Sequence, residues 1–236
     1  MKGIILAGGL GTRLMPLTKA TNKHLLPVGD KPMVLHPVEK LVEAGVTDIL
    51  LVSGPEHMGA FVTLLGSGKD FGCEVTYRVQ DVPGGIAQAL RLAKGFVGDD
   101  CMTVILGDNM FEDSLQEPVN EFSQDPTGAM VLLKEVPDPH RFGIAEIVDG
   151  TILSIEEKPE EPKSNYCVTG IYLYDATVFE LIETVRPSAR GEMEISDVNA
   201  AYLSKAQLRH QFFEGWWSDA GTFESLRHAN DLIREA

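Results

Sequence analysis

Cysteine is scarce in this sequence. Cys73, Cys101 and Cys167 are widely spaced and odd in number, and no Cys-x-x-Cys pair occurs. That excludes a disulfide framework and a cysteine metal knuckle, and it fits reduced thiols in a cytoplasmic protein. Long apolar runs are missing as well. The opening Lys2 and "GIILA" are too short for a signal peptide, and no segment reaches the length of a bilayer span. Positive charge is the third shortage. With 20 Lys and Arg against 35 Asp and Glu, the formal net charge is −15. Such a surface repels nucleic acid and anionic membranes, which argues against both as partners. An anionic substrate would require the few cations to be gathered in one place. His24, His57, His140 and His228 show no ligand-type spacing, so no histidine metal site is expected.

What is present is a core. Hydrophobic residues make up 44% of the 236 positions, enough for one sizeable domain. "KGIILA" reads as a strand buried on both faces, and "MVLHPVEKLVEAG" as a helix stopped at Gly45. Strands at "VTDILLVSG", "CEVTYRVQ", "CMTVILGDN" and "TGAMVLLKEV" alternate with helices at "EHMGAFVTLLG", "GGIAQALRLAKGF" and "SLQEPVNEFSQ". That alternation predicts an α/β fold with a mostly parallel sheet covered on both faces. The pattern changes near residue 135. A hairpin turning at Asp149-Gly150 follows, then a strand at "YCVTGIYLYD" and helices at "ATVFELIETV" and "SDVNAAYLSKA", the latter with Ser196 as a candidate cap. Short strands at "QLRHQFFEG" and "WWSD" precede a last helix, "TFESLRHANDLIREA". The expectation is one domain over 1–236, in which the part after residue 135 adds strands to the first sheet and contributes one side of a cleft.

The first strand runs into "ILAGGLGTRL", three glycines in four positions followed by Thr12 and Arg13. Without Cβ atoms, successive N–H groups can converge on an anion, and a guanidinium can neutralise phosphate charge. The glycines alone fit equally a tight strand-to-helix turn. Two familiar phosphate motifs fail. The dinucleotide fingerprint would start at Gly9, but Leu14 stands where its last glycine belongs. A P-loop at "GSGKD" fails because Asp70 follows Lys69 and Thr63 takes the place of the first glycine.

The longer stretch "ILAGGLGTRLMPLTKATNKHLLPVGDKPM", residues 5–33, is more specific. It resembles the signature of the sugar-1-phosphate nucleotidyltransferases, G-G-x-G-T-R followed by K-x-x-x-P-x-x-x-K-P. Within that family "NKHLLPVGDKPM" looks most like the glucose-1-phosphate thymidylyltransferases, with His24 for a usual Gln and Gly29 for a frequent Tyr. The likeness continues through "LGDN", "EEKPEEPKSNYCVTGIYLYD", "RGEMEISDVN" and "WWSDAGT". It implies a Rossmann-like three-layer sandwich with added strands for sugar binding, usually in a homo-oligomer.

The reaction so implied joins dTTP to α-D-glucose 1-phosphate and releases pyrophosphate. Two anions must meet, and the attacking phosphate oxygen is already ionised. Cations and a metal ion are needed, and a nucleophilic Ser or Cys is not. Asp108 falls just past a buried strand, where ligands of open sheets collect, although a lone Asp there reads first as a cap on the next helix or turn. The resemblance gives Asp108 and Asp219 to Mg²⁺, and Arg13 and Lys23 to the triphosphate. It gives Leu6, Gly8, Gly9, Gly11, Thr12, Arg13, Gln80, Pro83, Gly85 and Asp108 to the nucleotide. Gly143, Glu157, Lys158, Val168, Gly170, Arg190 and Trp217 go to the sugar phosphate. "WWSDAGT" departs from the family's W-L-D-T-G-T but keeps the Asp. A uridylyltransferase and a non-catalytic sugar-nucleotide sensor are the competing readings. Longer members of the thymidylyl branch continue past this last helix to form a regulatory nucleotide site, so such a site is expected to be absent or altered.

Overall fold

The computed structural model describes residues 1–235; Ala236, the final residue of the expected domain and last helix, lies outside the described residues. The chain begins with β1 (Lys2–Leu6), a small hairpin of β2 (Pro27–Val28) and β3 (Lys31–Pro32), α1 (Leu35–Glu43), β4 (Asp48–Ser53), α2 (Met58–Leu65) and β5 (Glu74–Val79). It continues through α3 (Ile86–Arg91), α4 (Lys94–Val97), β6 (Met102–Leu106), β7 (Asn109–Phe111), α5 (Gln116–Gln124) and β8 (Ala129–Glu135). The rest is β9 (Gly143–Val148), β10 (Thr151–Glu157), β11 (Tyr166–Tyr174), α6 (Val178–Ile182), α7 (Ile195–Ser204), β12 (Leu208–Phe212), β13 (Trp217–Asp219) and α8 (Phe223–Glu235).

A 9-stranded sheet runs β10-β9-β11-β6-β1-β4-β5, with β8 beside β11 and β12 beside β8. Following the pairings outward from β1, every strand except β10 and β11 points the same way. The mostly parallel sheet expected from the alternating pattern is present. Strand residues bury alternate faces. Ile4 and Leu6 pack with Leu90, Val97, Phe179 and Val198 from α3, α4, α6 and α7. Ile5 packs with Val38, Phe61 and Phe122 from α1, α2 and α5. Helices therefore cover both faces, in a Rossmann-like three-layer arrangement.

Three local expectations need correction. The helix expected over 84–96 is two pieces, because Leu92 and Ala93 donate three residues back, to Ala89 and Leu90, which tightens the turn and breaks the α register. The strand expected through Asn109 stops at Leu106, and Asn109–Phe111 leaves the main sheet to pair with β13. Ser196 does not cap α7; it lies in the first turn and its hydroxyl donates to Glu157 instead.

β11 links the two halves of the sheet. On one edge it pairs β9 at Cys167 and β6 from Ile171 onward, so β6 and β9 part company beside Val168–Gly170. A crevice opens where neighbouring strands diverge, at the carboxyl end of β6. Leu51 on β4 is fully buried, whereas Leu153 on the edge strand β10 is 55% exposed. Leu51→Ala is therefore expected to cost about 2–5 kcal/mol in urea unfolding, and Leu153→Ala no more than about 0.5 kcal/mol.

Candidate active site

β1 delivers the glycine loop to this crevice. Gly9 (φ 89°) and Gly11 (φ 60°) adopt left-handed backbone that other residues reach only with strain. A Cβ on Gly8 would stand 2.6 Å from Gln80 Oε1, so glycine here leaves the Gln80 side chain its place at the end of β5. The loop then enters the short helical turn Thr12–Leu14, which carries Arg13. A Cβ on Gly221 would lie 3.1 Å from Arg13 Nη2 and 3.2 Å from Asp219 Oδ2, so those two side chains meet at one spot.

Asp108 and Asp219 are brought together by backbone pairing. β13 runs antiparallel to β7 with Asp219 opposite Asn109, and the Ala220 N–H donates to the Asp108 carbonyl at 2.8 Å. Each carboxylate already has a cation. Lys23 Nζ lies 2.5 Å from Asp108 Oδ2. Arg141 Nη2 spans both Asp219 oxygens at 2.8 and 3.0 Å, while its Nη1 holds Asp138 at 2.9 Å. Burial alone would raise the Asp108 carboxyl, but the charge and hydrogen bond of Lys23 hold it well below the usual carboxylate range. Burial, and then the Asp108 charge, raises Asp219 above its ordinary value, with Arg141 and Arg13 opposing. Lys23 is itself held in place by a cap. Asn22 accepts from the His24 N–H at 2.9 Å and from its ring Nδ1 at 2.7 Å. His24 is 1% exposed, and burial, followed by the Lys23 charge, pushes its pKa down to about 3.

On the side expected to hold the nucleotide, Gln80 is 5% exposed, and its backbone N–H bonds Ser53 O at 2.8 Å. Gly85 (φ 95°) has no room for a side chain, since a Cβ would stand 2.5 Å from Met193 O. On the other side, Glu157 accepts the Ser196 hydroxyl at 2.6 Å and lies 3.6 Å from Lys158 Nζ. The Trp217 indole and the Gly170 N–H both donate to Asn109 Oδ1, at 2.8 and 2.9 Å.

These parts enclose a cavity of roughly 360 Å³. Of the residues expected at the site, Leu6, Gly8, Gly9, Arg13, Lys23, Gln80, Pro83, Gly85, Asp108, Gly143, Glu157, Lys158, Val168, Gly170, Trp217 and Asp219 line it. Gly11, Thr12 and Arg190 do not. Gly11 packs on Thr18 and Lys23, and Thr12 faces an adjoining recess of about 260 Å³ that shares Gly9, Gln80 and Pro83 with the cavity. Arg190 is held by Glu194 at 2.9 and 3.0 Å and stands 3.5 Å from Glu157 and 3.6 Å from Glu192. Asn109 and Arg141 also line the cavity and were not expected there, although their near neighbours Asp108 and Gly143 were; Ser196 lines it too, where the sequence suggested only a helix cap. Among the described residues no group of three or more His, Cys, Asp or Glu could hold a metal, and no helix is long and apolar enough to cross a membrane. Two carboxylates in one cavity suit a hard divalent cation that takes few protein ligands, and such an ion would offset both the burial and the Asp108 charge that raise Asp219.

A family model described as nucleotidyl transferase matches residues 2–236. Glucose-1-phosphate thymidylyltransferase of Neisseria meningitidis is 45% identical over 238 residues, covering 99% of this chain and 83% of that protein. The protein of the same name from Mycolicibacterium smegmatis is 43% identical, covering 99% and 82%. A Bacillus anthracis protein described as a glucose-1-phosphate thymidylyltransferase, crystallised with a sucrose, shares 58% identity and a TM-score of 0.96 over 100% of this chain and 96% of that one. A UDP-glucose pyrophosphorylase complexed with UDP-glucose is 23% identical, with a TM-score of 0.89 over 99% of this chain and 98% of that one, and shares the fold.

The buried His24 makes a prediction about acid stability. The unfolded chain protonates His24 near pH 6.5, whereas the folded protein resists until about 3, so the stability conferred by the neutral ring is complete above the first value and drains away toward the second. Near pH 5, His24→Gln is expected to flatten the pH slope of unfolding free energy by up to about 1.4 kcal/mol per pH unit. Urea titrations at several pH values read this directly, and an unchanged slope contradicts it.

Proposed function

The chain belongs to the nucleotidyl transferase family, and from that premise we propose that this enzyme transfers a deoxythymidylyl group from dTTP to α-D-glucose 1-phosphate, giving dTDP-glucose and pyrophosphate. The observation that carries the reading is the meeting of Arg13, Lys23, Asp108 and Asp219 in one crevice of a chain with net charge −15. Cations so scarce, gathered at one place beside a glycine loop, fit a site that brings phosphates together. The names of the relatives at 45% and 43% identity supply the base and the sugar.

The reaction is a direct in-line displacement. A phosphate oxygen of the sugar 1-phosphate attacks the α-phosphorus, the bond to the β-phosphate oxygen breaks, and pyrophosphate departs. No general base is required, because the nucleophile is already an anion. Arg13 and Lys23 neutralise the triphosphate and the charge that grows on the leaving group. Leu6, Gly8, Gly9, Pro83 and Gly85 form the nucleotide floor, and Gln80 reads the base edge. Glu157 accepts a sugar hydroxyl, Lys158 faces the sugar phosphate, and Gly143, Val168, Gly170 and Trp217 shape that wall. Arg190 stands behind Glu157 and braces it. Asp108 and Asp219 would hold Mg²⁺, which supplies Lewis-acid polarisation of bound phosphate oxygens.

In this reading residues 1–135 chiefly hold the nucleotide and 136–236 chiefly hold the sugar phosphate, with Asp219 returning from the second part to the centre. The enzyme would work in the cytoplasm as a homo-oligomer.

Pyrophosphate release measured with glucose 1-phosphate and each of dTTP, UTP, GTP and ATP in turn is expected to be fastest with dTTP. Faster turnover of any of the others overturns the base assignment. Asp108→Asn, isosteric and uncharged, is expected to lower kcat at least about a hundredfold. Wild-type turnover by that variant would remove Asp108 from the mechanism.

A further inference from the structure

Among the cations lining the cavity, Arg141 alone has no part in the proposed displacement. It ends the short helical turn Pro139–Arg141, and its guanidinium lies over the Phe142 ring at 5.0 Å. One nitrogen, Nη1, is anchored on Asp138 at 2.9 Å, and Asp138 stands outside the cavity lining. The other, Nη2, donates to both Asp219 oxygens, at 2.8 and 3.0 Å. It therefore occupies the edge between those oxygens, where a cation would chelate. The pair is open to exchange, since the Arg141 side chain is 35% exposed and that of Asp219 16%.

Charge decides what this contact does. Arg13, Lys23, Arg141 and Lys158 line the cavity together with four carboxylates, so the lining is balanced. A divalent ion arriving alone would leave two positive charges in surplus. It would also stand beside a guanidinium that already holds one of its carboxylates, and like charges at such short range repel. Phosphates arriving alone would leave the opposite surplus. When both arrive, the charges cancel. Nη2 then has phosphate oxygens to turn to, while Nη1 keeps its anchor on Asp138. Arg190 lacks that freedom, because Glu194 grips it outside the cavity lining.

We propose that Arg141 is a positioning residue that acts as the resident counter-ion of Asp219, holding the carboxylate when no divalent ion is bound and yielding it when phosphate takes up its charge. The inference rests on the reading of Asp108 and Asp219 as the ion's ligands. It adds to that reading the residue that makes ion and phosphate bind together.

The test is titration of Mn²⁺ followed by electron paramagnetic resonance, first without ligand and then with saturating dTDP-glucose. The proteins compared are wild type, Arg141→Gln, Arg141→Lys and Asp219→Asn. Without ligand, Arg141→Gln removes a positive charge facing the ion and is expected to bind Mn²⁺ about tenfold more tightly than wild type. Arg141→Lys keeps the charge and is expected to stay close to wild type. With dTDP-glucose bound, the advantage of Arg141→Gln is expected to vanish. A residue that merely shaped the carboxylate would give the opposite sign, a loss of Mn²⁺ affinity on its removal. Ligand-free affinity in Arg141→Gln equal to or below wild type overturns the proposal. So does a gain of equal size with and without dTDP-glucose, or Arg141→Lys binding as tightly as Arg141→Gln. If Asp219→Asn binds Mn²⁺ as wild type does, the metal reading falls and takes this inference with it. If Asp219→Asn weakens binding and Arg141→Gln does not strengthen it, only the role of Arg141 falls.

Discussion

Two carboxylates that the fold forces together are the constraint on which this molecule turns. Asp108 and Asp219 share a partly buried corner because β7 and β13 pair there and the Ala220 N–H closes on the Asp108 carbonyl. Like charges in a crevice of reduced dielectric repel strongly, and neither can be left uncompensated. Lys23 answers the first, and Arg141 with Arg13 answers the second. In the proposed function, a divalent ion at the carboxylates would free these cations for phosphate oxygens, giving a chain of net charge −15 one place suited to receive anions.

The scaffold explains why the corner is where it is. β11 carries both halves of the sheet and lets them diverge at Val168–Gly170. Asn109 fills the gap. Its side-chain oxygen takes the Gly170 N–H and the Trp217 indole, and its amide donates to Asp108 at 3.1 Å. One residue therefore ties β11, the strand carrying Asp219 and the Asp108 carboxylate. Gly170 must be glycine for the same reason, since a Cβ would stand 2.5 Å from Asn109 Nδ2. The two sides of the cavity are joined at a second place, where the Met193 N–H bonds Gly84 O at 2.8 Å and the Ala87 N–H bonds Met193 O at 3.1 Å. The loop before α3 and the loop that leads into α7 form one unit.

Much of the fold was legible because it follows from local rules. The apolar run in "KGIILA" and the Asp149-Gly150 turn depend on neighbours a few residues away, and both stand as read. The glycine loop was legible because positive φ at Gly9 and Gly11 favours glycine through a local steric rule. What escaped was long-range. Arg141 bridges to Asp219 and Gln80 meets Gln88 only after the sheet and helices are packed, so no spacing announces them. Arg190 shows the converse. Its motif suggests a free cation, but a guanidinium surrounded by Glu157, Glu192 and Glu194 is spoken for. The break between α3 and α4 and the early end of β6 are small shifts in backbone bonding that side-chain patterns do not encode.

The central claim is that Asp108 and Asp219 jointly hold one divalent ion. Titration of Mn²⁺ in the presence of dTDP-glucose, with free ion counted by electron paramagnetic resonance, tests it without relying on turnover. The account predicts one bound ion per chain in wild type and an affinity lowered by more than about tenfold in both Asp108→Asn and Asp219→Asn. Undiminished Mn²⁺ binding by either variant would contradict it.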